Sequence, residues 1–331
     1  MEHIAIDLGG RESQICVRAS DGSIVEEKRV STATLAQHLA QRTASRVIVE
    51  TCSEAFVVAD AAKQYGHEVR VVPATLVRAL GVGARRTKTD RRDARVLSEV
   101  SCRIDLPSVH VPSQASRDCK TMLKMRDALV ATRTKLINTV RGWLRATAQR
   151  PRRGLSSNFV LRVRAMPIVR PWFVESQLRT LEAVNTEIKY SNNELKKLAA
   201  RDPLCVRLMT VPGVGVVTAL RFVATIDDIS RFESAHKLQS YLGLVPGEHS
   251  SSDRRQGLGI TKAGSTAMRW TLLQAAWTTV RLPKPSPLKQ WATALEQRRG
   301  RRIAAVAVAR KLAGILFAIW RDGTTYDATR S

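Results

Sequence analysis

Cysteine is scarce in this chain: five residues (Cys16, Cys52, Cys102, Cys119 and Cys205) lie scattered over 331 positions. None are spaced as metal-ligand pairs, and the number is odd, so neither a disulfide framework nor a zinc site is expected, and a reducing cytoplasm suits them. Long hydrophobic runs are also missing. The longest apolar stretch, Ile303 to Trp320, is broken by Arg310 and Lys311, which predicts a core or interface helix, not a membrane span. The N-terminus runs from Glu2 and His3 straight into a strand pattern, so no signal peptide is expected. Acidic residues are few beside the basic ones, 29 against 54, and the formal charge is +25. Such an excess excludes a neutral surface and points to a polyanion.

The deficit of acid is unevenly placed. Residues 1–100 carry 15 basic and 13 acidic side chains, residues 101–249 carry 24 and 12, and residues 250–331 carry 15 and 4. The front third therefore reads as an ordinary globular domain and the remainder as the part that holds the polyanion.

Hydrophobic periodicity organises the front third. His3–Leu8, Gln14–Arg18 and Ile24–Val30 read as strands, the last two joined through Asp21-Gly22. Ser31 is expected to cap a helix over Thr32–Arg42, followed by a strand Val47–Glu50, a helix Glu54–Tyr65 and a strand Val69–Val72 ending at Pro73. Three strands followed by alternating helix and strand is the order of a ribonuclease-H-like sheet, although periodicity alone supports only an α/β class. A basic stretch from Gly81 to Arg95 opens a helix near Asp90, and Pro107 and Pro112 mark a boundary.

The middle reads as two long helices, about Ala115–Gln149 and Val174–Ala200, separated by a break at Pro151–Asn158. Their near-heptad apolar spacing fits an antiparallel hairpin, an intermolecular coiled coil or a plain helical spacer. The rear opens on Val211-Pro212-Gly213-Val214-Gly215. A turn of this kind between helices exposes successive backbone N–H groups, with Gly213 and Gly215 as candidate contacts to a nucleic-acid phosphate; a simple core turn is the alternative.

Two constellations carry candidate chemistry. Asp7 and Glu50 close predicted strands, and Asp90 and Asp93 stand three apart on one helix face. Four oxygen-bearing side chains of this kind suit a two-magnesium site acting on a phosphodiester. Separately, each residue also fits a turn, a solvated strand end or a helix N-terminus. The second constellation is Ser250-Ser251-Ser252 in a polar loop with Arg254, Arg255 and Lys262. A serine hydroxyl there could attack a phosphodiester while the cations stabilise developing charge. The loop also fits a phosphate-contacting linker.

These residues resemble a family. Ile6-Asp7-Leu8-Gly9, Val49-Glu50-Thr51 and Thr89-Asp90-Arg91-Arg92-Asp93-Ala94 are similar to the DEDD motif of insertion-sequence transposases with a RuvC-like N-terminal domain. Val211–Gly215, Tyr241-Leu242-Gly243-Leu244-Val245-Pro246, Ile260-Thr261-Lys262-Ala263-Gly264 and Ala309-Arg310-Lys311-Leu312 are similar to the rear of the same IS-one-ten group, the bridge recombinases. The resemblance implies a RuvC-like α/β domain over 1–105, a helical or coiled-coil region over 106–200 and a mostly α C-terminal serine domain over 201–331. It further implies Mg2+ held by Asp7, Glu50, Asp90 and Asp93, and a serine nucleophile that joins covalently to DNA. Counting from Gly243-Leu244 places that serine at Ser251. Ser252 stands where glycine is usual, so Ser250 and Ser252 stay open. The implied partners are DNA (element ends and target), a structured guide RNA and further copies of the chain in a tetramer, without a membrane. The implied location is the bacterial cytoplasm, at the nucleoid when active. A RuvC-like nuclease without serine chemistry and a non-enzymatic nucleic-acid-binding protein are the rival readings.

Overall fold

The computed structural model describes residues 1–79, 90–251, 254–283 and 285–328. They form two compact units, Met1–Pro112 and Ser113–Ser331.

The first unit is a mixed α/β layer. Its chain order is β1 (His3–Asp7), β2 (Glu12–Arg18), β3 (Ile24–Ser31), α1 (Leu35–Ala40), β4 (Arg46–Glu50), α2 (Ala55–Gln64), β5 (Glu68–Val72), α3 (Ala74–Ala79) and α4 (Asp90–Arg103). In space the strands run β3-β2-β1-β4-β5. β1, β2 and β3 pair antiparallel, whereas β1–β4 and β4–β5 are parallel. The β2–β3 turn closes because Gly22 adopts φ +87°, a conformation that costs other residues a clash at Cβ, and because the Asp21 carboxylate accepts from the Ser23 amide at 2.8 Å.

Alternation along β1 puts Ile4 and Ile6 on one face and Ala5 on the other. The first face packs with Ile15, Leu35, Leu39, Val47, Val49 and Ala59 under α1 and α2. The second packs with Ile48, Val72, Leu97 and Leu106 under α4. With both faces covered, the central strands read as near-continuous hydrophobic runs. Three details differ from the sequence expectations. Ser31 makes no side-chain cap, and a short 3-10 turn over Thr32–Thr34 precedes α1. α3 follows Pro73 directly, where only a strand end was expected. Helix α1 ends at Ala40, two residues before the expected Arg42.

The second unit is mostly helical: α5 (Gln114–Ala146), α6 (Phe159–Arg164), α7 (Trp172–Arg201), α8 (Pro203–Leu208), α9 (Val216–Ile226), α10 (Ala235–Tyr241), β6 (Pro246–Ser251), β7 (Arg254–Ile260), α11 (Thr266–Arg281), α12 (Pro287–Arg299) and α13 (Arg301–Asp322). α5 and α7 form an antiparallel hairpin. Leu123 near the start of α5 shares a core with Leu195 near the end of α7, and Val140 and Leu144 share a second core with Leu178. Helix α13 is long and apolar enough to cross a membrane by length and composition alone. Its Ala305, Val308, Leu312, Leu316 and Ile319 are instead buried in the core with Leu220, Phe222, Leu238 and Leu272, so packing accounts for its apolarity.

Candidate nucleic-acid-processing site

The register of β1 on β4 pairs Ile6 with Val49, so the next residues, Asp7 and Glu50, end adjacent parallel strands side by side. Asp7 follows Ala5 on the face covered by α4, and Glu50 follows Ile48 on the same face. The loop beyond Asp7 is fixed: the Thr32 hydroxyl donates to the Gly9 carbonyl at 2.7 Å and pairs with the Ser13 hydroxyl at 2.7 Å. The segment beyond Glu50 is fixed likewise, with the Ala74 amide donating to the Thr51 hydroxyl at 3.0 Å.

Helix α4 packs along β1, β2 and β4. His3 Nδ1 meets the Ser101 hydroxyl at 2.8 Å, and Ala5 shares a core with Leu97. Stepping back one helical turn, about 6 Å, reaches Asp93 as β1 advances about 6.6 Å to Asp7. Helix and strand thus run in matching steps, and Asp93, which is buried, stands at the Asp7 end. Asp7 and Glu50 thus end adjacent strands, and α4, which carries Asp93, packs on both of those strands. Asp90 begins α4, but its side chain lies outside the described residues. Among the described residues, no three acidic, histidine or cysteine side chains come close enough together to hold a metal ion.

The N-terminal turns of α4 are clamped to β3. Glu27 accepts from Arg95 Nε at 2.5 Å, from Arg95 Nη2 at 2.7 Å and from Arg91 Nε at 2.7 Å. Those hydrogen bonds, the Arg95 pair first, hold the Glu27 carboxyl at about 2, well below its ordinary 4.5. Residues 91 and 95 flank Asp93, so the clamp fixes the turn that carries it.

In the second unit, the serine-rich segment is a β-hairpin and not a loop. Ser251 ends β6 and pairs in register with Arg254, and Ser250 pairs with Arg255. Ser252 lies outside the described residues, as do the side chains of Ser250, Ser251, Arg254 and Arg255. The hairpin's base is described in full. The Thr261 amide donates to the Val245 carbonyl at 2.9 Å, and the Lys262 amide to the Gly243 carbonyl at 3.2 Å. Gly243, with φ +68°, lies so close to the backbone of Ala263 that no side chain would fit. Lys262 itself is exposed at φ +58°. Arg269, buried on α11, donates to the carbonyls of Leu242 (3.4 Å), Gly264 (3.1 Å) and Ala263.

A family model described as "Transposase IS116/IS110/IS902 family" matches residues 205–292, and a DEDD transposase model of the IS110 type matches residues 4–148. The chain is 29% identical to the transposase for insertion sequence element IS1111A of Coxiella burnetii, over 98% of this chain and 90% of that protein. It is equally 29% identical to the transposase for element IS1328 of Yersinia enterocolitica, over 98% of both chains. A probable family 20 transposase of Pseudomonas aeruginosa is 28% identical over the same shares. The chain belongs to this transposase family. Its activity is accordingly the cutting and rejoining of DNA.

The two family matches divide the candidate residues of this transposase between them. Asp7, Glu50, Asp90 and Asp93 fall in one, and Gly213, Gly215, Ser251, Arg254, Arg255 and Lys262 in the other. Gly213 and Gly215 have different surroundings. Gly213 adopts φ +87°, and a Cβ there would lie 2.6 Å from the Ala275 carbonyl oxygen. The same turn is tied to α11 by the Thr279 hydroxyl, which donates to the Pro212 carbonyl at 2.8 Å. Gly215 is exposed at the N-terminus of α9, with no side chain capping the free amides and open space around its Cα. Glu27 and Arg269 are positioning residues that sequence reasoning passed over. Neither lies in a recognisable motif: a glutamate on an edge strand and an arginine on a helix are ordinary surface residues until the fold buries their heads.

Proposed function

We propose that this transposase is an RNA-guided DNA recombinase, with a ribonuclease-H-like (RuvC-like) carboxylate domain and a serine nucleophile on the β6–β7 hairpin. The observation that supports the reading is that Asp7 and Glu50 end the adjacent parallel strands β1 and β4 of a sheet ordered β3-β2-β1-β4-β5, with α4, the helix that carries Asp93, packed on both strands. Strand ends of a mixed sheet are where such a fold presents ligands. The donor set fits a hard divalent cation, since it offers carboxylate oxygens and neither sulfur nor imidazole. Asp7, Glu50, Asp93 and the nearby Asp90 are the residues that would hold it. Magnesium bound there would supply Lewis-acid stabilisation of charge on phosphodiester oxygens.

At Ser251, the Oγ–H bond gives up its proton as Oγ bonds phosphorus. The bond from phosphorus to one sugar oxygen breaks, and that oxygen leaves with a proton. The phosphodiester energy is kept in the serine ester for rejoining. Arg254, the register partner of Ser251, and Arg255 supply positive charge beside the transferring phosphoryl group. The excess of basic residues in 101–331 holds nucleic-acid backbones, together with the exposed amides at Gly215. Pairing to a structured guide RNA supplies sequence choice, as in other guided systems. Carboxylates and serine belong to separate units of one chain, and several copies, a tetramer in the family reading, assemble the working sites.

The test is a covalent adduct. Wild-type protein with target DNA, guide RNA and magnesium should yield a denaturant-resistant protein–DNA species, and Ser251→Ala should not. Ser250→Ala and Ser252→Ala should retain it. Loss in Ser252→Ala alone would move the nucleophile by one residue. Normal strand exchange by all three variants would leave the carboxylates cutting without a serine.

A further inference from the structure

Residues 128–174 contain ten arginines and lysines and no aspartate or glutamate. Arg164 is neutralised by Glu182 at 2.6 Å and Arg170 by Glu175 at 2.6 Å, both acids lying on α7. Six others, Arg141, Arg145, Arg150, Arg152, Arg153 and Arg162, line a single hollow of about 310 Å³ where α5 gives way to α6. Among the described residues no carboxylate pairs with any of the six.

We propose that this hollow, beside the core of Leu144, Phe159 and Val163 and not that of the hairpin base, is a clamp for the phosphate backbone of a nucleic acid. The inference rests on the nucleic-acid part of the proposed function and not on the carboxylates or the serine. Structural duties account for little of the arginine. A cation in the last turn of α5 is favoured by the helix dipole, which explains Arg145 and no more. Arg162 is partly structural: it donates to the Leu155 carbonyl at 2.7 Å, and its guanidinium rests so near Gly154 that a Cβ there would lie 2.6 Å from Nη1. Its Nε, however, is buried without a partner. Arg141 and Arg162 both approach the ring of buried Phe159, at 5.4 and 6.0 Å, which holds two guanidinium groups in fixed places. Arg141, Arg145, Arg150, Arg152 and Arg153 are exposed. Like charges gathered around one hollow repel each other, and a polyanion relieves that repulsion while accepting forked N–H donors. A small anion could not engage six guanidinium groups spread along a groove, whereas successive phosphates of one strand could.

The polymer is RNA or DNA, and the experiment separates them. The triple variant R145Q/R152Q/R153Q removes three exposed charges whose side chains make no hydrogen bond among the described residues, so the helical circular dichroism should match wild type. Binding of the full-length protein to a fluorescent structured RNA hairpin, and separately to a DNA duplex, is followed by anisotropy between about 50 and 200 mM salt. For the polymer that occupies the hollow, affinity should fall and the log–log salt slope should shrink by about 2 to 3, roughly 0.7 to 0.9 per lost contact. A change with RNA alone assigns the guide, with duplex alone the DNA, and with both a shared backbone clamp. Unchanged affinity and slope with both polymers would overturn the proposal. Should wild type form no serine adduct while the triple variant loses slope, the clamp stands and the recombinase reading falls.

Discussion

At the end of β1, Asp7 hangs from a strand with a hydrogen-bonded neighbour on each side and a packed layer over each face. At the end of β6, Ser251 stands on a strand with one neighbour, in a sheet of two. A two-stranded hairpin is marginal alone. Its register therefore depends on what grips its base, and here that is Gly243, the Lys262–Gly264 turn and the buried guanidinium of Arg269. The carboxylate edge is placed by a whole core, whereas the serine is placed by a few hydrogen bonds. Substitutions should consequently separate into those that stop chemistry on an intact fold and those that loosen the fold around intact chemistry.

The largest effect should come from the carboxylates. Asp7→Ala or Asp93→Ala removes a proposed oxygen ligand near a strand end or helix start without emptying the core. Strand exchange in magnesium should fall about a thousandfold or more, as expected when several kcal/mol of charge stabilisation is lost. Denaturant midpoints should stay close to wild type. Full activity in both variants would remove the carboxylates from the mechanism and erase the contrast between the two sites.

Arg269→Ala should show the opposite pattern. It deserts three carbonyls at the hairpin base and removes a buried side chain, so stability should drop by about 3 kcal/mol. Urea unfolding followed by circular dichroism measures this. A loss under about 0.5 kcal/mol, the range of an ordinary surface change, would mean that the hairpin needs no such anchor.

The same contrast governs what the sequence discloses. The β2–β3 turn was legible because Asp21-Gly22 carries a local signal, and Asp7 and Glu50 were legible because each closes an apolar run. That those two runs are neighbours was not, since the β1–β4 pairing joins residues some forty positions apart and leaves no periodic trace. α3 was missed because six residues are too few to show a helical period. The hairpin read as a loop because Ser250, Ser251, Gly257 and Gly259 have weak strand preference. On α5 the apolar Met125 is exposed, because the buried stripe there runs through Cys119, Leu123 and Ile137.

The smallest expected effect concerns the Glu27 clamp, where the carboxylate edge also depends on a few hydrogen bonds. Glu27 titrates at about 2 in the folded chain against 4.5 when free of its arginines. A carboxyl with a depressed folded value stabilises the fold fully above the free value, and that contribution is lost as pH falls from 4.5 towards 2. Arg91 and Arg95 are partly exposed, at 64% and 43%, so solvent screens the pair. Its worth is on the order of 1 kcal/mol at neutral pH. Glu27→Gln should therefore unfold slightly more easily than wild type at about pH 7, and the difference should narrow steadily below about pH 4.5 and close only towards about pH 2. Strand exchange by the variant should fall only several-fold, because the turn holding Asp93 loses its tether but keeps Leu97 in the core. A stability difference that stays constant across this pH range would show that the two arginines do not hold Glu27 charged. In that case α4 is positioned by its remaining contacts, the His3–Ser101 hydrogen bond and the packing of Leu97.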